Sequence, residues 1–472
     1  VSTLKLALPT GDARATVFEL LGQAGIAATG YESGSRLMRA MVEQEGFALR
    51  IFRERDIPVQ VALGNYDLGI CSDAWLTEVQ VRFPLQRLVR VGSLPGAMTE
   101  VWLAASPESG LRPGQVPAAG ALAGARIVSE LPNLADHWAM QARIPGYRLI
   151  PLAGSADAYP PEDAEIVVAP VTGPAVLERR GLVPLARIHR GGLALIANAD
   201  ALVTRPLATV LSRLAPLFTG EAPSFTVPPA DRGAKLVRTG RRTDVVRLAV
   251  PDGHAQRHAP GVLRAAGIML DGYDEKGYVR RPATSVDGLT AKVLRPQDMP
   301  QLIAMGMFDI GISGRDLLYE HLAKFPSSPV EMAVDLGTNR YRIGPVVDQA
   351  FPADTTAEAI AIWNNLGRPV RIASEFPATA ERFALDHHLR YTTIIPVAGA
   401  SEGFVPEDAD FLVEGTETGT SIRANGLKML DPFMESTSCV IVRREPATSR
   451  LDILDEVVAR LRATVGVAAA GG

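Results

Sequence analysis

Residues Leu4–Ile26 read LKLALPTGDARATVFELLGQAGI, and residues Val246–Ile268 read VRLAVPDGHAQRHAPGVLRAAGI. The two stretches align without a gap at an offset of 242 residues, with Pro9 over Pro251. Each opens with a short alternating strand, turns at a glycine and continues at helical spacing. In the first, Val17, Leu20, Leu21 and Ala24 fall on one helical face, and Gly25 stands where a helix-ending glycine belongs.

The correspondence extends outward. Arg55-Asp56-Ile57-Pro58 lies over Gln297-Asp298-Met299-Pro300, and Asp67–Ile70 over Asp309–Ile312, at the same offset. Further on the offset becomes 245, placing Arg126–Pro132 over Arg371–Pro377, Pro161–Ala164 over Pro406–Ala409, and Gly181-Leu182 over Gly426-Leu427. A period this long means that each copy is a folding unit, not a solenoid repeat. The organisation expected is a first copy over 1–219, an exposed linker over 220–243 and a second copy over 244–472. The linker carries Pro223, Pro228-Pro229, Gly233, Gly240 and five basic residues. Apolar strands alternating with helical segments predict an α/β fold, two lobes per copy, with the second copy's outer lobe near 338–434. Open α/β sheets bind ligands at strand carboxyl ends, so the cleft between lobes is the expected site.

Composition narrows the function classes. The chain of 472 residues is 47% hydrophobic and 21% charged, with a net charge of −4, so it has no global basic field for nucleic acid. Cys71 and Cys439 lie in different halves, and the adjacent histidines His387-His388 match no metal-ligand spacing. The chain begins directly with the alternating Leu4–Leu8, and no run nears the roughly 18 apolar residues of a membrane span. The expectation is a cytoplasmic protein with no membrane partner.

One segment carries chemistry. Leu412-Val413-Glu414-Gly415-Thr416-Glu417-Thr418-Gly419-Thr420-Ser421 places two carboxylates three apart, then a Thr-Gly-Thr-Ser turn before a helix. Free backbone N–H groups, flanking hydroxyls and a glycine allowing close approach make a phosphate cradle. The acids upstream suit vicinal ribose hydroxyls and can stabilise positive charge at an anomeric carbon. The plain alternative is that Thr420 or Ser421 only caps the helix while the glutamates are solvated. The first copy reads Val168-Ala169-Pro170-Val171-Thr172-Gly173-Pro174-Ala175, with neither acid and with a proline removing a donor. A phosphoribosyl group is therefore expected on the second copy only.

The order of motifs resembles the catalytic core of the ATP phosphoribosyltransferase family, along nearly all of both copies. The matching elements in the second copy are Val246–Gly253, Asp298–Pro300, Asp309–Leu318, Arg371–Pro377 and Phe411–Leu427. The resemblance implies two tandem units akin to the type II periplasmic-binding-protein architecture, with no room for the regulatory domain of the family's long form. It implies transfer of phosphoribosyl from phosphoribosyl pyrophosphate to N1 of ATP, with magnesium carried by the substrate, as the first step of histidine biosynthesis. Glu414 and Glu417 take the catalytic role, with Thr418, Gly419, Thr420 and Ser421 on the 5′-phosphate. Arg342 (Arg340 as second choice), Arg295 and Arg315 are candidates for the polyphosphates, and Asp316 for polar support. The comparable first-copy stretch Thr99–Leu103 has no arginine. Family members assemble from dimers of such units, so a homo-oligomer and a regulatory subunit are implied partners. Within one chain, Arg50, Arg53 or Arg55 of the first copy is expected to reach the second copy's cleft.

Where the family commonly has a basic residue after the first strand, this chain has Thr10 and Asp252. An aspartate beside a triphosphate is unfavourable unless a metal ion lies between. That departure keeps open a non-catalytic paralogue binding a nucleotide or metabolite and regulating a partner.

Overall fold

In the computed structural model, which describes residues 3–35, 37–42, 47–84, 87–399 and 401–465, both halves are built on one strand pattern. Strand Leu4–Pro9 runs parallel between Phe47–Phe52 and Leu68–Ser72, with Leu4 opposite Phe47 and Leu6 opposite Leu68. In the second half Val246–Pro251 runs parallel between Leu289–Leu294 and Ile310–Gly314, with Val246 opposite Leu289 and Leu248 opposite Ile310. These are the same pairs displaced by the sequence offset. The strands are short, apolar and buried on both faces, as parallel strands covered by helices should be. The outer lobes match likewise: Ile127 pairs with Ile166, and Ile372 with Phe411.

The halves differ where the chain crosses between lobes. In the first, strands Leu88–Ala105 and Val183–Asn198 run through both lobes and join them into one 11-stranded sheet. In the second, the crossing is interrupted between Val330–Asp335 and Tyr341–Asp348, and again between Met434–Ser436 and Ser438–Arg443. Its lobes therefore carry separate sheets of five and six strands. The interruption has a backbone cause. Gly337 at φ 65° and Asn339 at φ 51° lie in the left-handed region, which a pleated strand cannot accommodate.

Residues 220–243 lie along the first half's outer lobe. Phe225 pairs with His189, the Val237 amide donates to the Ser109 carbonyl at 2.9 Å, and Ala234 is buried.

The halves pack head to tail, the inner lobe of each on the outer lobe of the other. One apolar cluster joins Leu294, Met299 and Phe308 to Ile150, Tyr159 and Val167. Its counterpart joins Phe52, Ile57 and Tyr66 to Phe404, Val405 and Leu412. Burying each large side chain contributes roughly 1.5–3 kcal/mol. The polar seam repeats the pattern. Asp56 accepts from the Ala398 amide at 2.9 Å, and Asp298 from the Ala153 amide at 2.9 Å.

Helix Thr356–Trp363 braces the strand that ends in the two glutamates, its Trp363 ring stacking on Phe411 at 4.0 Å between centroids. Thr355 caps this helix: its hydroxyl accepts from the Glu358 amide at 3.3 Å, and Glu358 accepts in return from the Thr355 amide at 3.2 Å. Thr355→Ala is expected to cost about 1 kcal/mol in chemical denaturation. An unchanged midpoint would mean that the cap carries no stability.

Candidate functional site

A cavity of about 680 Å³ lies between the two lobes of the second half. Its walls are chain segments leaving the carboxyl ends of strands: Asp252–Ala255, Arg295–Gln297, Gly314 with Asp316 and Leu317, Glu375-Phe376 and Glu414–Glu417. Asn339 and Tyr341 of the crossing segment close one side, and Arg55 and Ala153 enter from the first half. A larger depression of about 1030 Å³, between Lys5, Arg82, Asn198 and Asp408, holds none of the candidate residues.

Glu414 sits near the end of strand Phe411–Thr416, half-buried, and lines the cleft. One carboxylate oxygen accepts from the Ser401 hydroxyl, the other from the Gly415 amide at 3.0 Å. Loss of water pushes its pKa up, and the charge of neighbouring Glu375 pushes it further. Glu375 is raised by burial as well, while Arg53 and Arg55 of the first half pull it back. Glu417 stands at the mouth, exposed, with its carboxylate 3.9 Å from His254 Nε2.

The turn beyond Glu417 follows the mouth as an outer rim: Thr418, Gly419, Thr420 and Ser421 do not line the cavity itself. The Gly419 amide donates to Thr416 Oγ1 at 2.8 Å, Thr418 and Thr420 share a hydrogen bond at 2.9 Å, and Ser421 is exposed. Gly419 has φ 72°, and a Cβ there would lie 2.7 Å from Arg423 Nη1, so only glycine closes this turn without strain. The corresponding first-half strand, Ile166–Val171, runs instead into Gly173 and a helix starting at Pro174.

The remaining candidates divide. Asp316 is buried against the cleft and accepts from Ser436 Oγ at 2.7 Å. Burial pushes its carboxyl up, while hydrogen bonds from Tyr341 and Ser436 bring it back. Arg295 lines the cleft, with Nη1 3.3 Å from Asp252. Arg315 and Arg342 do not line it. Arg315 turns to Asp335 at 3.3 Å. Side chains alternate along strand Tyr341–Asp348, so Tyr341 takes the cleft face and Arg342 projects, exposed, from the other. Arg340 lies 3.9 Å from Glu435 in solvent. The cleft-facing position expected for an arginine here is taken by Tyr341.

Asp252 departs from its sequence reading as well. It is buried, with Arg295 at 3.3 Å and Arg280 at 3.5 Å. Two guanidinium groups thus balance its charge, which its place in the sequence did not show. Of the three first-half arginines, Arg55 lines the cleft. Arg53 lies beside Gly399, where an added Cβ would meet its Nε at 3.1 Å. Arg50 stays on the seam, 2.7 Å from Glu407. Sequence reasoning missed Glu375 and Tyr341. Glu375 had a signal in the repeat, as the acid matching Glu130, while Tyr341 had none beyond its place next to two arginines.

Among the described residues no helix is long and apolar enough to cross a membrane. The family profile described as ATP phosphoribosyltransferase matches the chain twice, over residues 53–216 and 295–463. The ATP phosphoribosyltransferase of Mesorhizobium japonicum is 30% identical over 235 residues, covering 47% of this chain and 100% of the relative. That of Brucella melitensis is 29% identical over 228 residues, covering 46% of this chain and 97% of the relative. A solved ATP phosphoribosyl transferase (HisG:HisZ) complex from Thermotoga maritima aligns at 20% identity and a TM-score of 0.38. It covers 47% of this chain and 98% of that one, a likeness too distant to bear on the fold. The relatives each span about half of a chain that the profile matches in both halves, and this chain belongs to the ATP phosphoribosyltransferase family.

Proposed function

We propose that the second half transfers a phosphoribosyl group from phosphoribosyl pyrophosphate to N1 of ATP, releasing pyrophosphate, as the first step of histidine biosynthesis. The observation that carries this reading is that Glu414–Glu417, the strand end leading into the Thr418–Ser421 turn, lines a cleft that Arg55 enters from the other half. The 5′-phosphate rests on the amides and hydroxyls of Thr418, Gly419, Thr420 and Ser421. Glu414 and Glu417 take the ribose hydroxyls. The bond from the anomeric carbon to pyrophosphate breaks with its electron pair leaving on oxygen, and the lone pair of adenine N1 forms the new bond. Glu414 stabilises the positive charge that develops at the anomeric carbon. Arg55, Arg53 and Arg295 offset the charge of the departing pyrophosphate, which enters with its magnesium as part of the substrate. Positioning and charge supply the catalysis, so no side-chain nucleophile is required.

On this reading each half is a two-lobed unit of the type II periplasmic-binding architecture, with copies over 1–219 and 244–472 joined by 220–243. The first copy serves as a built-in partner, supplying arginines that a separate subunit would otherwise bring. The non-catalytic alternative rested on Asp252 and on the eroded first copy, and the pairing of Asp252 with Arg295 and Arg280 weakens the first of these grounds.

Incubation with phosphoribosyl pyrophosphate, magnesium and ATP should yield the N1 adduct, followed by mass. Arg55→Ala should raise the KM for phosphoribosyl pyrophosphate by roughly 10–100-fold, as loss of a hydrogen bond between charged groups implies. Thermal stabilisation by phosphoribosyl pyrophosphate without turnover would leave a binding protein. Neither binding nor turnover would end the reading.

A further inference from the structure

The first half has Ala169 and Thr172 where the second has Glu414 and Glu417, and Glu178 where the second has Arg423. Where the second half has Ala424 and Asn425, the first has Arg179 and Arg180. A second cavity, of about 610 Å³, opens at this place. Glu130, Asp157, Arg179 and Arg180 line it from the first half, and Arg280 and Arg295 from the second.

These six groups leave a surplus of positive charge. Arg280 is committed to Asp157 at 3.0 Å and reaches Asp252 at 3.5 Å. Arg295 holds Asp252 at 3.3 Å through one nitrogen, with its side chain 44% exposed. Arg179 and Arg180 are exposed, and among the described residues neither has a carboxylate within 4.0 Å. Glu130 is half-buried and takes the Ala156 amide, while Arg180 and Arg295 both act on its charge. Three guanidinium forks therefore face one cavity with donors to spare, and a planar fork fits phosphate oxygens two at a time.

We propose that this cavity binds a small, multiply charged anion of the phosphate class, held by Arg179, Arg180 and Arg295. The anion settles on the side away from Glu130 and Asp157. The site is independent of the reaction assigned to the cleft, but Arg295 lines both cavities. A bound anion competes with Asp252 for that guanidinium and so touches the wall of the cleft.

Titration of the full chain with inorganic phosphate, by calorimetry and by phosphorus resonance, tests the site. The cleft rim also offers phosphate ligands, so two double variants are compared with the parent chain. Arg179→Ala with Arg180→Ala should weaken phosphate binding by about 10-fold or more, whereas Thr420→Ala with Ser421→Ala should leave this site intact. Both arginines are exposed, and an unchanged thermal midpoint verifies folding; Arg179→Gln with Arg180→Gln replaces them should the alanines misfold. Binding unchanged in the arginine variant, lost only in the rim variant, or never saturable in the parent chain overturns the proposal.

Discussion

Glu414→Gln is expected to lower kcat/KM for phosphoribosyl transfer by about 10²–10³-fold while leaving the protein at least as stable as the parent above neutral pH. The two effects have one source. The carboxylate lies at the cleft floor, held by Ser401 and the Gly415 amide, and faces Glu375. There it can stabilise a cationic anomeric carbon, a loss worth about 2.7–4 kcal/mol by comparison with other preorganised electrostatic groups. The same placement makes its charge costly in the free protein. Desolvation first, then Glu375, raise its pKa from 4.5 to about 8. The folded chain thus keeps a proton that the unfolded chain releases, so stability falls as pH rises from about 4.5 towards about 8 and levels off beyond. Glutamine removes that slope. Steady-state kinetics and thermal midpoints at pH 6 and pH 8.5 measure both effects. Retained activity would remove Glu414 from the mechanism, and a parallel collapse of the midpoint would reduce its role to folding.

The second large effect lies on the seam between the halves. Asp163 is almost wholly buried and bonds both Arg247 and Lys292, the latter at 2.8 Å. Lys292, itself buried, has its pKa lowered by loss of water, against which the charges of Asp163 and Glu162 work. Asp163→Ala removes the carboxylate that both cations share, leaving Glu162 beside Lys292 and Asp309 near Arg247, and breaking a buried pair in this way costs about 3–5 kcal/mol. The mirror residue, Asp408, pairs with Lys5 at 2.8 Å, whose side chain is 32% exposed, and with the Tyr66 hydroxyl. Water can still reach Lys5, so Asp408→Ala should cost less. Denaturant midpoints of the two variants decide the order. A near-parental Asp163→Ala would falsify the claim that this seam holds the halves together.

Much of the fold was legible because its signals are local. The strand-Pro-x-Gly openings, Gly25 and the paired Asp-x-Pro turns each reflect a backbone requirement within a few residues, and both copies show them at one offset. Glu414 and Glu417 could be singled out for the same reason: they and the Thr-Gly-Thr-Ser turn are contiguous, and both glutamates line the cleft. Arg342 was misplaced because the face a strand residue takes depends on register, and a shift of one residue exchanges Arg342 for Tyr341. Asp252 read as an obstacle because Arg280 and Arg295, which balance it, are distant in sequence. The difference between the halves, one continuous sheet against two hinged ones, depended on backbone angles at Gly337 and Asn339.

The order of residues was enough to reveal a repeated α/β chain and to single out the copy with acids before a Thr-Gly-Thr-Ser turn, since period, turn chemistry and contiguous side chains are short-range properties. Tertiary packing decided which arginines meet which cleft. The apolar faces of the inner and outer lobes are satisfied only by crossing between halves, and that crossing carries Arg55 towards Glu414 and Arg295 towards both cavities.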